Sequence, residues 1–388
     1  MDPNPAPIFT AVSSSARHLI QLLRSINFSP TAEVQISSVG LRFSVDDSRA
    51  VQGLTILEKS LFSSYSFNAN PGGSPSSEEM SYIAPFEINL SALLEVLQIF
   101  GLSDVTSRNA NGGIASYNHT AFNTPALAIT GGTCRFSYPH VGAPLSITIS
   151  EAGVTTTCDL NTYRPARPDL SFDLDDLIPF ERDPLTLKLI MRSVWLHDAI
   201  SELASTNSTS LVLDASSSKS PPFALKGTGG PFGNSTVEFQ TEPMPNHTSR
   251  RNRASSTSRR GDTNAPQVAE IFNVAPTGEG GRIRQSYRFA HVQKAVRAMA
   301  LASKVSVRVD RQGVLSLQFM IELDKMDDGG GRNASGGHTA SARAAASSGR
   351  TSFVDFRFVP LVDDDEEDED DSDDDQPEAG LGESDEDF

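Results

Sequence analysis

The sequence predicts an α+β fold of two tandem lobes, each with two helices packed on one face of a curved antiparallel sheet. Three observations predict it. Residues 283–323 read as a strand, a helix and a hairpin, and residues 82–150 run through the same order with a long interruption. Helical stretches carry apolar residues at helical spacing, while the runs between them alternate with period two. Between the halves, residues 161–169 (NTYRPARPD) hold two prolines and no periodicity, which marks an extended linker.

In the later unit Tyr287 and Phe289 alternate into a helix bearing Val292, Ala295, Val296 and Met299, and Val305, Val307 and Val309 follow at strand spacing. Asp310-Arg311-Gln312-Gly313 closes the hairpin, because glycine tolerates positive φ. In order from the start, residues 8–12 are a strand and 13–26 a helix whose buried stripe is Leu19, Leu22, Leu23 and Ile26; Arg17, Gln21 and Arg24 share the opposite side. Strands follow at 34–38, 41–45, 51–57 and 63–67, with Gly40 and Asp46-Asp47-Ser48-Arg49 as turns, then a polar loop at 68–80. A strand at 81–88 leads into a helix capped by Ser91 and stopped by Gly101. After a loop at 104–132, strands at 134–138, 145–149 and 153–160 end the first half.

The order then restarts. A strand at 185–192 precedes a helix at 194–204 that buries Leu196, Ala199, Ile200 and Leu203. Strands at 210–214, 223–227 and 236–241 lead to an Arg/Ser-rich insertion, 242–266, and a strand at 268–274. The later unit, a Gly/Ala/Ser insertion at 325–350 and a strand at 352–361 complete the body. The organisation expected is a first domain to residue 160, a connector at 161–170, a second domain at 171–362 and an acidic tail at 363–388.

The chain has 388 residues, 38% of them hydrophobic, enough for two cores of ordinary size. Formal net charge is −17, but 17 of the 49 carboxylates fall in residues 363–388, where there is no base; the rest of the chain is balanced, 32 basic against 32 acidic. The acidity therefore belongs to a tail and does not exclude nucleic acid as a partner of the body. Cys134 and Cys158, the only cysteines, lie in strand-like runs and fit a reducing compartment. With no leader pattern and no apolar run of about 20 residues, an intracellular protein without membrane contact is expected. No histidine pair has metal-ligand spacing and no phosphate loop is present, so no metal or cofactor is expected. Asp173, Asp175 and Asp176, and Glu322 with Asp324, are the nearest approach to a metal-dependent phosphodiester-cleaving set, and read as solvated loop acids.

Four stretches carry a likeness: FTAVSSSARHLIQLLRSINF, SSVGLRFSVDDSRAVQGLTIL, FEINLSALLEVLQIFG and FVDFRFVPLV. Through them the chain resembles the sliding-clamp family of proliferating-cell nuclear antigen, and within it the Rad-one branch of the heterotrimeric nine-one-one checkpoint clamp. The resemblance implies two DNA-clamp domains and a ring of three chains, sheets outside and helices inside, encircling double-stranded DNA without sequence specificity. It further implies two other clamp subunits, a clamp loader, checkpoint and repair proteins as partners, a nuclear location and no catalysis. The alternatives are a homotrimeric replicative processivity clamp and a metal-dependent exonuclease.

The resemblance places Arg17, His18 and Arg24, with Gln21 on the same stripe, on the DNA-facing wall; Lys294, Arg297 and Arg308 are the analogous candidates near the end. Glu95, Gln98, Asp198 and Ser201 take outward positions on the other helices, so the wall is half basic and DNA contact by this chain alone is expected to be weak. A partner pocket is implied at Val45, Arg49 and Ala50 with Phe358, Val359 and Pro360. Subunit contacts are implied at two strand edges, Val154, Thr156 and Cys158 on one and Thr236, Glu238 and Gln240 on the other.

Overall fold

A computed structural model describes residues 7–14, 16–68, 83–106, 132–151, 154–165, 177–218, 220–239, 269–275, 281–323 and 350–362. The first half runs β1 (Phe9–Ser13), α1 (Arg17–Ser25), β2 (Thr31–Ile36), β3 (Gly40–Asp47), β4 (Val51–Glu58), β5 (Ser64–Phe67), β6 (Phe86–Asn89), α2 (Leu90–Thr106), β7 (Thr133–Tyr138), β8 (Leu145–Glu151) and β9 (Val154–Leu160). The second half repeats that order with β10 (Leu187–Arg192), α3 (Ser193–Ser205), β11 (Ser210–Ser216), β12 (Phe223–Thr228), β13 (Ser235–Phe239), β14 (Ala269–Val274) and β15 (Arg282–Arg288). Its last helix is α4 (Phe289–Val292), tightened by a 3-10 turn at Gln293–Ala295 before α5 (Val296–Leu301); β16 (Lys304–Val309), β17 (Leu315–Leu323) and β18 (Arg350–Phe358) follow. Residues 242–266 and 325–349 of the expected insertions, the tail and residues 166–170 of the expected connector lie outside the described residues, while Arg350, expected to end an insertion, begins β18.

The apolar stripes are where the spacing put them. Leu19, Leu22, Leu23 and Ile26 of the first helical segment are fully buried, as are Leu203 and Ile200 of α3, with Leu196 and Ala199 nearly so. Each leucine buried in this way stabilises the fold by about 1.5–3 kcal/mol. Two helix ends differ from the sequence reading. Asn89, the last residue of β6 and two positions earlier than expected, caps α2 by accepting a hydrogen bond from the Ala92 amide at 2.9 Å, so Ser91 sits inside the first turn. The helix also continues through Gly101 to Thr106.

The repeated order folds into repeated sheets. The first half contributes β5-β1-β7-β8-β9 and β4-β3-β2-β6; the second contributes the corresponding β14-β10-β16-β17-β18 and β13-β12-β11-β15. Pairing of β18 with β4 fuses two of these into a continuous nine-stranded sheet across the halves, Val354 opposite Thr55 and Phe358 opposite Val51. Gly53 makes that seam possible: it lies opposite Phe356, and a Cβ there would come within 2.8 Å of Phe28 and 3.3 Å of Phe356. The Phe28 and Phe356 rings pack at 5.9 Å over it. Among the described helices, α2 touches α1, α1 touches α5 and α5 touches α3, so a row of helices runs across both halves.

Candidate functional site

The helical side is the first candidate surface. Helical spacing buries one stripe of α1 and leaves Arg17 and Arg24 exposed on the other, with His18 and Gln21 half-buried beside them. No side chain caps α1 and no acid occupies its first turn, so Arg17 stands at the positive end of the helix dipole, a placement that does not favour helix stability. Where α1, α2 and α5 meet, Arg24, Asn27, Ser91, Leu94, Glu95, Gln98 and Arg297 line a groove of about 520 Å³. The Arg297 guanidinium donates to the Asn27 carbonyl at 3.2 Å, which holds it beside Arg24 across the boundary between the halves.

Two expected members of that basic wall are elsewhere. Lys294 pairs with Asp47 at the end of β3 and lies 5.4 Å from the Phe28 ring centroid, so its charge is committed to joining the halves. That ammonium, followed by the Ser48 hydroxyl, holds the Asp47 carboxyl below its ordinary pKa. Arg308 is on the opposite face of the sheet. Because Val305, Val307 and Val309 point under the helices, Arg308 must point away, where it donates to the Ser316 hydroxyl at 2.7 Å and approaches Asp355 at 3.4 Å.

Over the outer face of the seam lies the segment that holds Ile178 and Phe180, beyond the residues expected as the connector. Ile178 is buried there: its amide donates to the Gln52 side chain at 3.2 Å, and its carbonyl accepts from the buried Arg357 at 2.8 Å. Phe180 lies under both Arg308 and Arg357, at 5.3 and 5.9 Å. Gln52, Ile178, Phe180, Asp355 and Arg357 were not singled out from the sequence. The period-two phase of β4 and β18 carried the signal, since it sets Gln52 and Arg357 opposite each other on the outward face.

The expected pocket residues surround this seam without all being accessible. Val45 and Phe358 are core residues, each 1% exposed, whereas Val359 is 41% exposed. Ser48 and Arg49 both have φ of 55°, and the Ala50 amide donates to the Asp47 carbonyl at 3.0 Å, so the β3–β4 hairpin closes on a two-residue turn in which Arg49 is held outward. The Val359 amide donates to the Ala50 carbonyl at 3.0 Å, pinning the end of the body to that hairpin.

The strand edges are open. In the described residues β9 pairs only with β8, and β13 only with β12. Val154 and Thr156 on β9 and Thr236 and Glu238 on β13 are exposed, and Cys158 is half-buried. Gln240 lies outside the described residues, as do Asp173, Asp175, Asp176 and Asp324; Glu322 is exposed on β17. Among the described residues no group of three or more His, Cys, Asp and Glu is placed to hold a metal ion, and no helix is long and apolar enough to cross a membrane.

Known proteins are similar to this chain. The family model for the repair proteins Rad1/Rec1/Rad17 matches residues 8–321. The DNA damage checkpoint control protein rad1 of Schizosaccharomyces pombe is 28% identical over 360 residues, 91% of this chain and 87% of that protein. The human cell cycle checkpoint protein RAD1 is 26% identical over 307 residues, 79% of this chain and 83% of its own. Among solved structures, PCNA of Thermococcus kodakaraensis superposes with a TM-score of 0.51 at 16% identity, covering 91% of this chain and 100% of that one, a likeness of fold alone. A family model that matches residues 8–321, most of the chain, makes this chain a member of the Rad1/Rec1/Rad17 repair-protein family.

Proposed function

We propose that this chain is a non-catalytic subunit of a ring-shaped sliding clamp that encircles double-stranded DNA and acts as a platform for checkpoint and repair proteins in the nucleus. The observation that carries this reading is the seam. In the repeated order, β9 is the counterpart of β18 and β13 the counterpart of β4. Since β18 and β4 join within the chain, β9 and β13 are suited to join neighbouring chains by the same antiparallel pairing, and an exposed edge is a template for such pairing. Continuing that relation through three chains gives six lobes with their helices turned toward one opening.

Arg17, His18, Gln21, Arg24 and Arg297 then form this chain's share of the DNA-facing wall. Such a wall needs no base contacts; attraction to phosphate positions the duplex, and each neutralised phosphate steepens the dependence on salt by about one power of concentration. The relatives' names as checkpoint proteins favour a ring with two different clamp subunits, served by a loader, over a homotrimeric replicative clamp. The test is topological. The assembled ring, loaded on closed circular DNA, is expected to remain bound through a salt wash and to be released when the circle is cut; equal retention on circular and linear DNA would contradict encirclement.

A further inference from the structure

The last described residues lie along a strand whose outward side is basic. The Leu361 amide donates to the Ser286 carbonyl at 2.7 Å, so the chain leaves the body beside the middle of β15. On that strand Arg282, Arg284, Ser286 and Arg288 occupy alternate positions opposite the core-facing Ile283 and Tyr287, and the three arginines are exposed. Among the described residues one carboxylate pairs with them. Asp214 of β11 takes the Arg282 guanidinium at 2.6 Å and Lys226 of β12 at 3.7 Å, and also feels Arg284. The other acid on this half-sheet, Glu238, stands on the far edge strand. The patch therefore keeps an excess of positive charge.

The first half of the molecule has a counterpart to this exit, and there the chain is described to residue 165 and again from residue 177. Tyr163, just past β9, exchanges hydrogen bonds with Glu87 of β6 at 2.8 and 2.9 Å. Tyr163 and Leu361 thus hold equivalent positions beside equivalent strands. Fifteen residues after Tyr163, Ile178 is seated on the outer face of the sheet, with Phe180 beside it. From Leu361 the chain goes on to residues 363–388, with 17 carboxylates and no Lys or Arg.

We propose that residues 363–388 dock on the outer face of the second lobe, across Arg284, Arg288 and Lys226, as the acidic counterpart of the connector. The docked tail covers a basic surface that would otherwise recruit acidic peptides or phosphate, and phosphorylation of Ser372 or Ser384, each followed three residues later by an acid, strengthens the hold by adding charge. The attraction is largely electrostatic and is screened over a Debye length of about 8 Å at physiological salt.

The test uses the full-length chain carrying Arg284→Lys and Arg288→Lys, which keeps the charge and supplies amines that a water-soluble carbodiimide couples to carboxylates. Amide links from residues 363–388 to the introduced amines and to Lys226 are expected, with a yield independent of protein concentration and at least tenfold lower in 1 M salt. Links confined to other amines, links that scale with protein concentration, or none at all would overturn the proposal. As a second readout, Arg284→Glu with Arg288→Glu in the full-length chain should speed cleavage of the tail by a glutamate-specific protease severalfold while the body stays intact. An unchanged rate would overturn it equally, and would be the result if the tail instead engaged the arginines of residues 249–260.

Discussion

Arg24 and Arg297 differ from Lys294 and Arg308 in one respect: what else each charge can reach. The first two converge on an open groove, whereas Lys294 meets Asp47 and Arg308 meets Ser316 and Asp355. In the assembled ring, Arg24→Glu with Arg297→Glu is therefore expected to weaken DNA association by at least tenfold and to flatten its salt dependence, measured by titration at several salt concentrations, with the folded signal of the chain unchanged. The same exchange at Arg308 should act on stability instead, since it removes a cation held between Phe180 and Asp355. The Asp47–Lys294 pair has its own signature. Its carboxyl titrates lower in the folded chain than the ordinary 3.8, so its contribution is fully present above that pH and is lost as pH falls through the depressed folded value. Partial exposure keeps the contribution to about 0.2–1 kcal/mol. Denaturant titrations of wild type and Asp47→Asn should differ by that amount at pH 7 and converge only as pH falls below the ordinary 3.8 and through the depressed folded value.

At the scale of elements, alternation and helical spacing were enough to find the repeated order, because each strand buries one face and each helix one stripe. Leu19, Leu22, Leu23 and Ile26 are buried as their spacing required. The sequence was less informative where a long-range partner decides. Nothing local marks Lys294 as the partner of a residue in the other half, and a three-residue spacing to Arg297 made both look like one outward stripe. Arg308 was legible: the alternation that buries Val305, Val307 and Val309 excludes it from the helical side. Asn89 was overlooked as a cap because it also ends a strand. The fusion of two half-sheets across the seam rests on Gly53 facing Phe356, a pairing that no local pattern announces. Phe356→Ala should cost about 3–5 kcal/mol and Gly53→Val about 1–3 kcal/mol, read from denaturant midpoints. Both variants should loosen the halves from each other before either half unfolds, visible as early hydrogen exchange along β4 and β18.

For the whole molecule, one relation between strands is used inside the chain and offered again outside it. The inner use buries Val354, Phe356 and Phe358 against β4, while the open edge β9 presents Thr156, Cys158 and Leu160 at the corresponding places. The side groups along β9 are smaller, so its partner edge has to supply the bulk. Charged substitution at Thr156 or Thr236 is expected to abolish assembly while leaving the melting of the isolated chain within a few degrees of wild type, checked by sedimentation and thermal unfolding. The most direct test of the account is the intact mass of the complex that this chain forms in nuclear extract. One copy together with two different clamp chains is predicted; a lone chain, or three copies of itself, would contradict the checkpoint ring.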